Sequence, residues 1–327
     1  MPVSVSKIDN KNNVLIIKFS KFIMQVLMLY AGIFCDLPSV YASSPDISYI
    51  QRDISAAAVG MGNAYSTITE DSYSMHYNPA ALYGLKKVEV GGSSSRDDFD
   101  RKIDSFNYTF LNGYKKRAYG GLTYIKDEIS GIEGRDVNGN LTGTFSDKAE
   151  IIGYGIGNTN NYLKSQGISY GFLAKYLKRG IMSAEASGYG LDLGLLKEEK
   201  NGQRFALTVK NAVGEIKWSG TKTNPKETLG RDMSLGYSTK IMNDGRAAFE
   251  LINDSTQRDK WVTAFGVEKH VSDTAVLRAG CYDGQMAYGA GFFMKQTKID
   301  YAYTKRNSDD LHKFSAVFYF NENGQKN

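Results

Sequence analysis

Hydrophobic and polar residues alternate with a period of two along most of the chain after residue 86. The alternation is clear in the segments 106–110, 168–176, 189–195 and 299–303, and weaker in a few others. Successive side chains of a β-strand point to opposite faces, so this period indicates strands whose two faces meet different surroundings. The pattern therefore predicts an all-β chain from residue 86 onward.

The alternating segments number fourteen, and most are as long as the 9–11 residues, roughly, that a tilted strand needs to cross a bilayer. The predicted strands are 86–95, 104–112, 117–130, 147–159, 165–179, 183–198, 203–213, 229–241, 246–254, 260–270, 274–283, 286–295, 298–305 and 311–320. The two longest connections, 131–146 and 214–228, fall on one side, and most turns on the other side are short. This distribution is typical of outer-membrane barrels. The predicted fold is a single transmembrane antiparallel β-barrel of about 14 strands.

Residues 55–82 do not alternate, and small residues crowd the first half of this stretch. Glycine allows positive φ and close approach of another backbone, so Gly60 and Gly62 predict a turn packed against a neighbouring element. A short helical hairpin preceding a β-domain is the simplest interpretation of the stretch.

The second half of this stretch carries signals for helix ends. Asp71 is a candidate cap for a short helix that runs through Tyr77. Asn78 followed by Pro79 predicts a second start, with asparagine as N-cap and proline at the first helical position. Since the residue before proline avoids helical backbone angles, the first helix should end near Tyr77.

The N-terminal segment 1–42 predicts a secretory signal peptide. Its apolar run, 22–35, has 14 residues, whereas a spanning helix needs roughly 20. Small residues at Val40 and Ala42 provide a cleavage site, so the mature chain should begin at Ser43. Cys35 offers a lipoprotein alternative, but the bulky Phe34 before it disfavours lipidation.

Composition supports a barrel and excludes some functions. The 327 residues include 34 glycines, 22 tyrosines and only 5 prolines, which suits long strands with aromatic girdles. The mean hydropathy of −0.37 does not suggest a bundle of membrane helices. The net charge of +5 is spread among mixed charges, and no basic stripe predicts a nucleic-acid partner.

Catalytic and metal-binding motifs are absent from the sequence. The only cysteines are Cys35 and Cys281, so the mature chain would have no internal disulfide. The three histidines are far apart, and no cofactor or metal site is predicted. His76 is the best-placed candidate for a functional side chain, but a hydrogen-bonded structural histidine is the favoured interpretation. We predict no catalytic residue.

Charged residues at alternate positions within the strands predict that one face of the sheet meets water or other polar groups. Glu89, Asp192, Lys210 and Asp300 lie between apolar neighbours, and we expect them to face the barrel lumen. A lysine or arginine facing lipid near the midplane would cost roughly 2–4 kcal/mol. A solvated sheet face remains an alternative to a lined cavity.

Alternate residues of a membrane-spanning strand face lipid and lumen, which gives specific predictions for the strand near 183–198. Leu191, Leu193 and Leu195 should face lipid, while Asp192 and Gly194 should face the lumen. On this basis Gly194→Ser is expected to be mild.

The segment containing Gly60-Met61-Gly62, Ala64-Tyr65, Glu70-Asp71 and Tyr77-Asn78-Pro79-Ala80 resembles the N-terminal region of FadL-type outer-membrane proteins, nearest the smaller PorV/PorQ family. The resemblance implies that residues 43–85 form a small helical plug inside a fourteen-stranded barrel, 86–320. The last strand ends on Phe320, like the assembly signal of outer-membrane proteins, and the polar tail 321–327 follows.

The resemblance also implies a location in the bacterial outer membrane and two functions. The first is passive transport or binding of a hydrophobic small molecule past the plug. The alternative is a non-conducting scaffold or shuttle for secreted proteins, as in type IX secretion, and an outer-membrane hydrolase is a remote third. The implied partners are outer-membrane lipid, a hydrophobic small molecule or a secreted protein, and the barrel-assembly machinery acting through the C-terminal strand.

Overall fold

The structure is a computed structural model that describes residues 53–97, 100–112, 118–242, 244–255, 260–306 and 309–320. The predicted signal peptide, the first residues of the predicted plug and the polar tail lie outside the described residues.

Fifteen strands and four short helices make up this part of the chain. The helices are α1 (Ala56–Gly60), α2 (Ser74–Tyr77), a 3-10 helix (Pro79–Gly84) and α3 (Asn161–Ser165). The strands are β1 (Val88–Arg96), β2 (Arg101–Asn112), β3 (Ala118–Arg135), β4 (Leu141–Asn158), β5 (Ile168–Ile181), β6 (Ala184–Glu198), β7 (Arg204–Ser219), β8 (Lys226–Thr228), β9 (Asp232–Ile241), β10 (Gly245–Asp254), β11 (Lys260–Ser272), β12 (Ala275–Tyr282), β13 (Gln285–Met294), β14 (Thr297–Arg306) and β15 (Asp309–Phe320). No helix among the described residues is long and apolar enough to span a membrane.

The strands form a closed antiparallel barrel. Each strand pairs with its neighbours in sequence, and β1 pairs with β15 from Val88↔Phe320 to Arg96↔His312. The short β8 pairs only with β7, outside the ring, and β9 takes the next place in the wall. Fourteen strands therefore close the barrel, and closure leaves the ring itself without an unpaired edge. The predicted fold class is confirmed.

The two faces of the wall differ as the alternation predicts. On β6, Leu193 and Leu195 are about 40% exposed on the outer face (41% and 40%), whereas Asp192 is 2% exposed on the inner face. The same alternation along the other strands places large exposed hydrophobic side chains outside. An apolar exterior on a closed antiparallel barrel is the architecture of outer-membrane proteins.

The long loops predicted for 131–146 and 214–228 are wrong. β3 and β4 continue past the barrel as a paired hairpin, in which residues 135–144 are all exposed. β7 continues to Ser219 and then pairs with β8. The tip of the β3–β4 hairpin is exposed on both faces, so hydrophobic alternation cannot reveal it. The end of β7 does alternate, with Ile216 and Trp218 buried and Lys217 exposed, and the sequence analysis missed that signal.

Residues 53–85, here called the inner segment, lie inside the barrel. The hydroxyl of Ser93 donates to the carbonyl of Ile54 (2.6 Å), and the backbone N–H of Ala56 donates to Ser315 Oγ (3.2 Å). Both serines point inward from the wall strands. Nearly all side chains of the segment are buried, although its elements are too short to form a core of their own.

The orientation of the wall can be tested with one arginine placed on each kind of surface. Leu193→Arg puts a charge on the outer, apolar face and should lower the free energy of unfolding by roughly 2–4 kcal/mol if the site lies near the midplane. Val137→Arg, at a fully exposed position of the hairpin tip, should change it by less than about 0.5 kcal/mol. Denaturant titration of the protein in lipid vesicles measures both values. Equal effects would contradict a membrane-embedded outer face.

Candidate functional site

The inner segment begins with a capped helical turn that is fitted closely to the wall. Ser55 caps α1, with its Oγ accepting from the N–H of Ala58 (3.1 Å). The helix ends at Gly60, and Gly62 has a φ of +59°. A Cβ atom on Gly62 would overlap the backbone of Cys281 on β12, so the turn needs glycine for both conformation and space. The predicted close packing of this turn is present.

Asp71 has a role that differs from the expected helix cap. Helix α2 begins only at Ser74, and no side chain caps it. Asp71 instead accepts from the N–H of Tyr73 through Oδ1 (3.1 Å), which fixes the turn before the helix. Its Oδ2 accepts from the ammonium of Lys298 on β14 (3.0 Å). The carboxylate therefore links the inner segment to the wall.

Asn78 caps the helix that starts at Pro79, as predicted, although this helix is of the 3-10 type. Its Oδ1 accepts from the N–H of Ala80 (3.0 Å). Its Nδ2 donates to the carbonyls of Ser66 (3.0 Å) and Leu195 (3.1 Å). One buried amide thus caps a helix, ties two parts of the inner segment together and binds the wall strand β6.

Glycines on the wall provide the space in which the inner segment sits. At each of them, an added Cβ atom would crowd an atom of that segment. These wall glycines are Gly91, Gly121, Gly155, Gly157, Gly171, Gly194, Gly236, Gly266, Gly280 and Gly289. The expectation that Gly194→Ser is mild is wrong, because a Cβ atom there would overlap Asn78 Oδ1.

A buried cluster of five charged groups, here called the ion cluster, joins the inner segment to β11, β12 and β14. Lys298 contacts Asp71 (3.0 Å) and Asp300 (3.4 Å), and Arg278 contacts Asp300 (2.8 Å) and Glu268 (2.6 Å). All five side chains are at most 7% exposed. Buried charges are tolerated only when paired and hydrogen-bonded, so each member depends on the others.

The four charged residues predicted to face the lumen all point inward, but the structure does not bring them together. Asp300 belongs to the ion cluster, and Glu89 is buried on β1. Asp192 accepts from the ammonium of Lys175 on β5 (2.6 Å). The ammonium of Lys210 lies 5.5 Å from the centre of the Tyr77 ring.

Asn211 is a polar contributor that the sequence analysis missed. It accepts from Lys175 (2.7 Å) and donates its N–H to Asp192 (2.8 Å). It lies where the pairing of β6 and β7 shifts register, and its φ is +50°. A bulge turns an extra side chain toward the interior, and period-two analysis cannot anticipate it.

His76 is held on the wall by two polar side chains. Its Nε2 lies 2.8 Å from Asn107 Oδ1 and 3.1 Å from Thr123 Oγ1. Burial lowers the pKa of the His76 ring to about 4, so the ring is neutral at pH 7. These contacts support a structural role. No group of three or more metal-ligating residues occurs in the described part of the chain.

A cluster of apolar side chains lies in the lumen along β2 to β7, beside two inward-facing ion pairs, Arg101–Asp127 (2.8 Å) and Arg179–Asp147 (2.6 Å). The sequence analysis missed this feature too. Inward-facing side chains there pack together and reach Ile54 and Tyr73 of the inner segment. The residues of this apolar cluster are Ile54, Tyr73, Ile103, Ile125, Ala149, Ile151, Leu177, Ala186, Ile216, Trp218, Leu229 and Val317. The sequence did carry a signal for this cluster, because these strands have apolar residues at inward-facing as well as outward-facing positions.

A small cavity is present beside the inner segment. A cavity of about 30 Å³ lies between it and β7, β9, β10 and β12, with Asn63, Tyr77, Lys210 and Glu250 in its lining. This volume is close to that of one water molecule. The inner segment thus fills the part of the lumen that it occupies, with the ion cluster on one side of it and the apolar cluster on the other.

The ion cluster predicts a large cost for losing one charge. Lys298→Gln leaves Asp71 and Asp300 without their shared cation, and breaking a buried pair costs about 3–5 kcal/mol. Lys269→Gln, which removes an exposed pair with Asp244 (3.8 Å), should cost less than about 1 kcal/mol. Denaturant unfolding compares the two variants, and limited proteolysis reports whether the inner segment has loosened. Similar costs would contradict a coupling role for the ion cluster.

The comparisons with known proteins identify the fold. No protein-family model and no curated protein matches the chain. A FadL homologue of Pseudomonas aeruginosa matches with a TM-score of 0.58 at 11% identity, covering 82% of this chain and 98% of the other. The toluene transporter TodX of P. putida matches with a TM-score of 0.56 at 11% identity, covering 82% and 99%. CymD, a monoaromatic hydrocarbon channel, gives 0.56 at 11% identity, covering 83% and 98%.

These similarities concern the fold, which agrees with the resemblance in the plug motif. The closed fourteen-stranded wall and its apolar exterior confirm the predicted location in the bacterial outer membrane. The chain is an outer-membrane β-barrel with the fold of the FadL-type channels.

Proposed function

We propose that the protein is a passive conduit for small apolar molecules across the outer membrane, and that the inner segment is its plug. The observation that carries this proposal is the apolar cluster in the lumen. Open porins have a polar interior filled with water. An apolar lining instead favours molecules that avoid water.

The closed state of the lumen is compatible with such passage. A hydrocarbon that separates the side chains of the apolar cluster replaces apolar contacts with similar ones, whereas water would not. The channels of similar fold are described as carriers of toluene and other monoaromatic hydrocarbons. That substrate class, small and apolar, fits the lining found here. The proposed activity is not enzymatic.

The main alternative is a scaffold or shuttle for secreted proteins that conducts nothing. The filled lumen and the exposed β3–β4 hairpin favour it, because a projecting hairpin offers unpaired strand edges to a partner. An outer-membrane hydrolase has less support, since the ring of His76 contacts an amide and a hydroxyl on the wall.

Uptake of a hydrophobic fluorescent dye by whole cells distinguishes the conduit from the scaffold. Cells that make the protein should take up N-phenylnaphthylamine faster than cells that lack it. The double variant Gly60→Val/Gly62→Val should increase uptake further, because its side chains would crowd Gly289 and overlap Cys281 and so displace the plug. Ile151→Asn/Leu177→Asn should reduce uptake, because it places buried polar groups in the apolar route.

The matched control is Gly131→Val/Gly139→Val. Both of these glycines have positive φ, but an added Cβ atom would meet nothing within 4 Å, so backbone strain is present without plug displacement. Its uptake should equal that of the wild type. Uptake that is the same with and without the protein, in all variants, would reject the conduit and leave the scaffold.

Export and assembly follow from the same proposal. The segment 1–42 acts as a signal peptide, and β15, which ends on Phe320, is the strand presented to the barrel-assembly machinery. N-terminal sequencing of the protein extracted from membranes should therefore begin at Ser43. A mature protein that retains residues 22–35 would contradict this export route.

A further inference from the structure

The outer surface of β2 to β5 carries charged side chains at the extracellular end of the wall. They lie on the outer face of the wall, next to a row of apolar and aromatic cross-strand neighbours. This row consists of Phe106, Tyr124, Ile152 and Tyr176. The residues of this charged band are Lys102, Asp104, Lys126, Glu128, Lys148, Glu150 and Lys178.

Strand register places residues of opposite charge next to each other throughout the charged band. In the row farther from the membrane, Glu128 is the cross-strand partner of both Lys102 and Lys148. In the row nearer the membrane, Lys126 is the cross-strand partner of both Asp104 and Glu150, and Glu150 also pairs with Lys178. Every direct cross-strand neighbour within the band therefore has the opposite charge.

Each carboxylate also holds a lysine on its own strand. Lys102 contacts Asp104 at 2.9 Å, and Lys148 contacts Glu150 at 3.1 Å. Lys126 pairs with Glu128 in the same way. An ammonium group has three donors, and these side chains are about a quarter to a half exposed. The pairs therefore fix the lysines in place and leave N–H groups for another acceptor.

Outward-facing charges at this end of the wall continue onto β1, β7, β14 and β15, but they do not surround the barrel. The outward-facing residues of β12 and β13, both described in full, are all uncharged. They are Ala275, Leu277, Ala279, Cys281, Met286, Tyr288, Ala290, Phe292 and Met294. The wall of the barrel can therefore border the membrane surface without outward-facing charges, as it does at β12 and β13, so the band on β2 to β5 calls for its own explanation.

The position of the charged band determines what it meets. It lies at the end of the strands away from Val88 and Phe320, the end that carries the β3–β4 hairpin, which is the extracellular side of such barrels. Charged side chains are too costly in hydrocarbon, and the aromatic row beside the band marks the membrane interface. The neighbours of the band are therefore lipid head groups of the outer leaflet.

We propose that the charged band is a binding surface for the phosphate groups of outer-leaflet lipids. Its four lysines occupy diagonal positions, which are separated by about 7–8 Å across neighbouring strands. A phosphate between two such lysines accepts a charge-assisted hydrogen bond from each. The band has four lysines and three carboxylates, so it carries an excess positive charge.

Lipid binding by the purified protein tests this surface. Native mass spectrometry counts the lipids retained when detergent-solubilised protein is mixed with phosphatidic acid or with phosphatidylcholine. The wild type should retain phosphatidic acid in preference. Lys102→Gln/Lys126→Gln/Lys148→Gln should weaken that binding roughly a hundredfold, given the usual contribution of each lysine to anionic-lipid binding.

Two further variants separate lipid recognition from net charge and from misfolding. Lys164→Gln/Lys197→Gln/Lys269→Gln removes the same number of charges from the opposite end of the barrel and should bind like the wild type. Lys102→Arg/Lys126→Arg/Lys148→Arg keeps the charge of the band and should retain binding. Resistance of the folded barrel to heat on gels is checked for every variant.

Three outcomes would overturn the proposal. The first is equal phosphatidic acid retention by the two glutamine variants, which would mean that only net charge matters. The second is loss of binding in the arginine variant while its barrel stays folded. The third is complete displacement of the lipid by excess inorganic phosphate, which would show a site for free anions and not for lipids.

Discussion

The interior of this barrel depends on direct backbone contact between the inner segment and the wall. A segment of short helical turns cannot satisfy its own polar groups, and the closed lumen leaves little room for water to do so. The wall therefore supplies partners: Glu250 accepts from the N–H groups of both Tyr65 and Ser66, at 3.1 Å each, and Asn78 binds the carbonyl of Leu195. Each of these bonds joins a side chain of one element to the backbone of the other, and the wall glycines let the two elements pack closely enough to form them. The glycine content of the chain is thus a requirement of the interior as well as of the strands.

The two sides of the barrel differ in how charge is distributed on the outer surface. Around β11, β12 and β14 the charges are inside, in the ion cluster, and the membrane-facing residues of β12 and β13 are uncharged. Along β2 to β5 the lumen holds part of the apolar cluster together with the Arg101–Asp127 and Arg179–Asp147 pairs, and further charges lie on the outer surface at the membrane border. Both arrangements keep charge away from hydrocarbon. They differ in what lies inside, since one side holds the ion cluster and the other holds the apolar cluster.

The sequence was sufficient for the fold because a membrane barrel has two chemically different faces on every strand. Alternation located all the strands of the ring and the outward direction of Leu193, and local rules identified Asn78 as a cap. Contacts distant in sequence were beyond such rules: Lys298 and Asp71 are 227 residues apart, and only the register of the closed wall brings them together. For the same reason the crowding at Gly194 was missed. Strands outside the membrane, such as the β3–β4 hairpin, have no alternating pattern to detect.

The anchors of the inner segment are spread around the ring, which limits how it can move. The ion cluster holds it to β14, Glu250 holds it to β10, and Asn78 holds it to β6. Releasing the whole segment would break all of these contacts together, at a cost of several kcal/mol for the ion cluster alone. On the proposed route, an apolar molecule would meet the segment chiefly at Ile54 and Tyr73, its members of the apolar cluster. Side-chain movement at these two residues requires none of the anchors to break, so passage along the apolar side is compatible with a plug that stays in place.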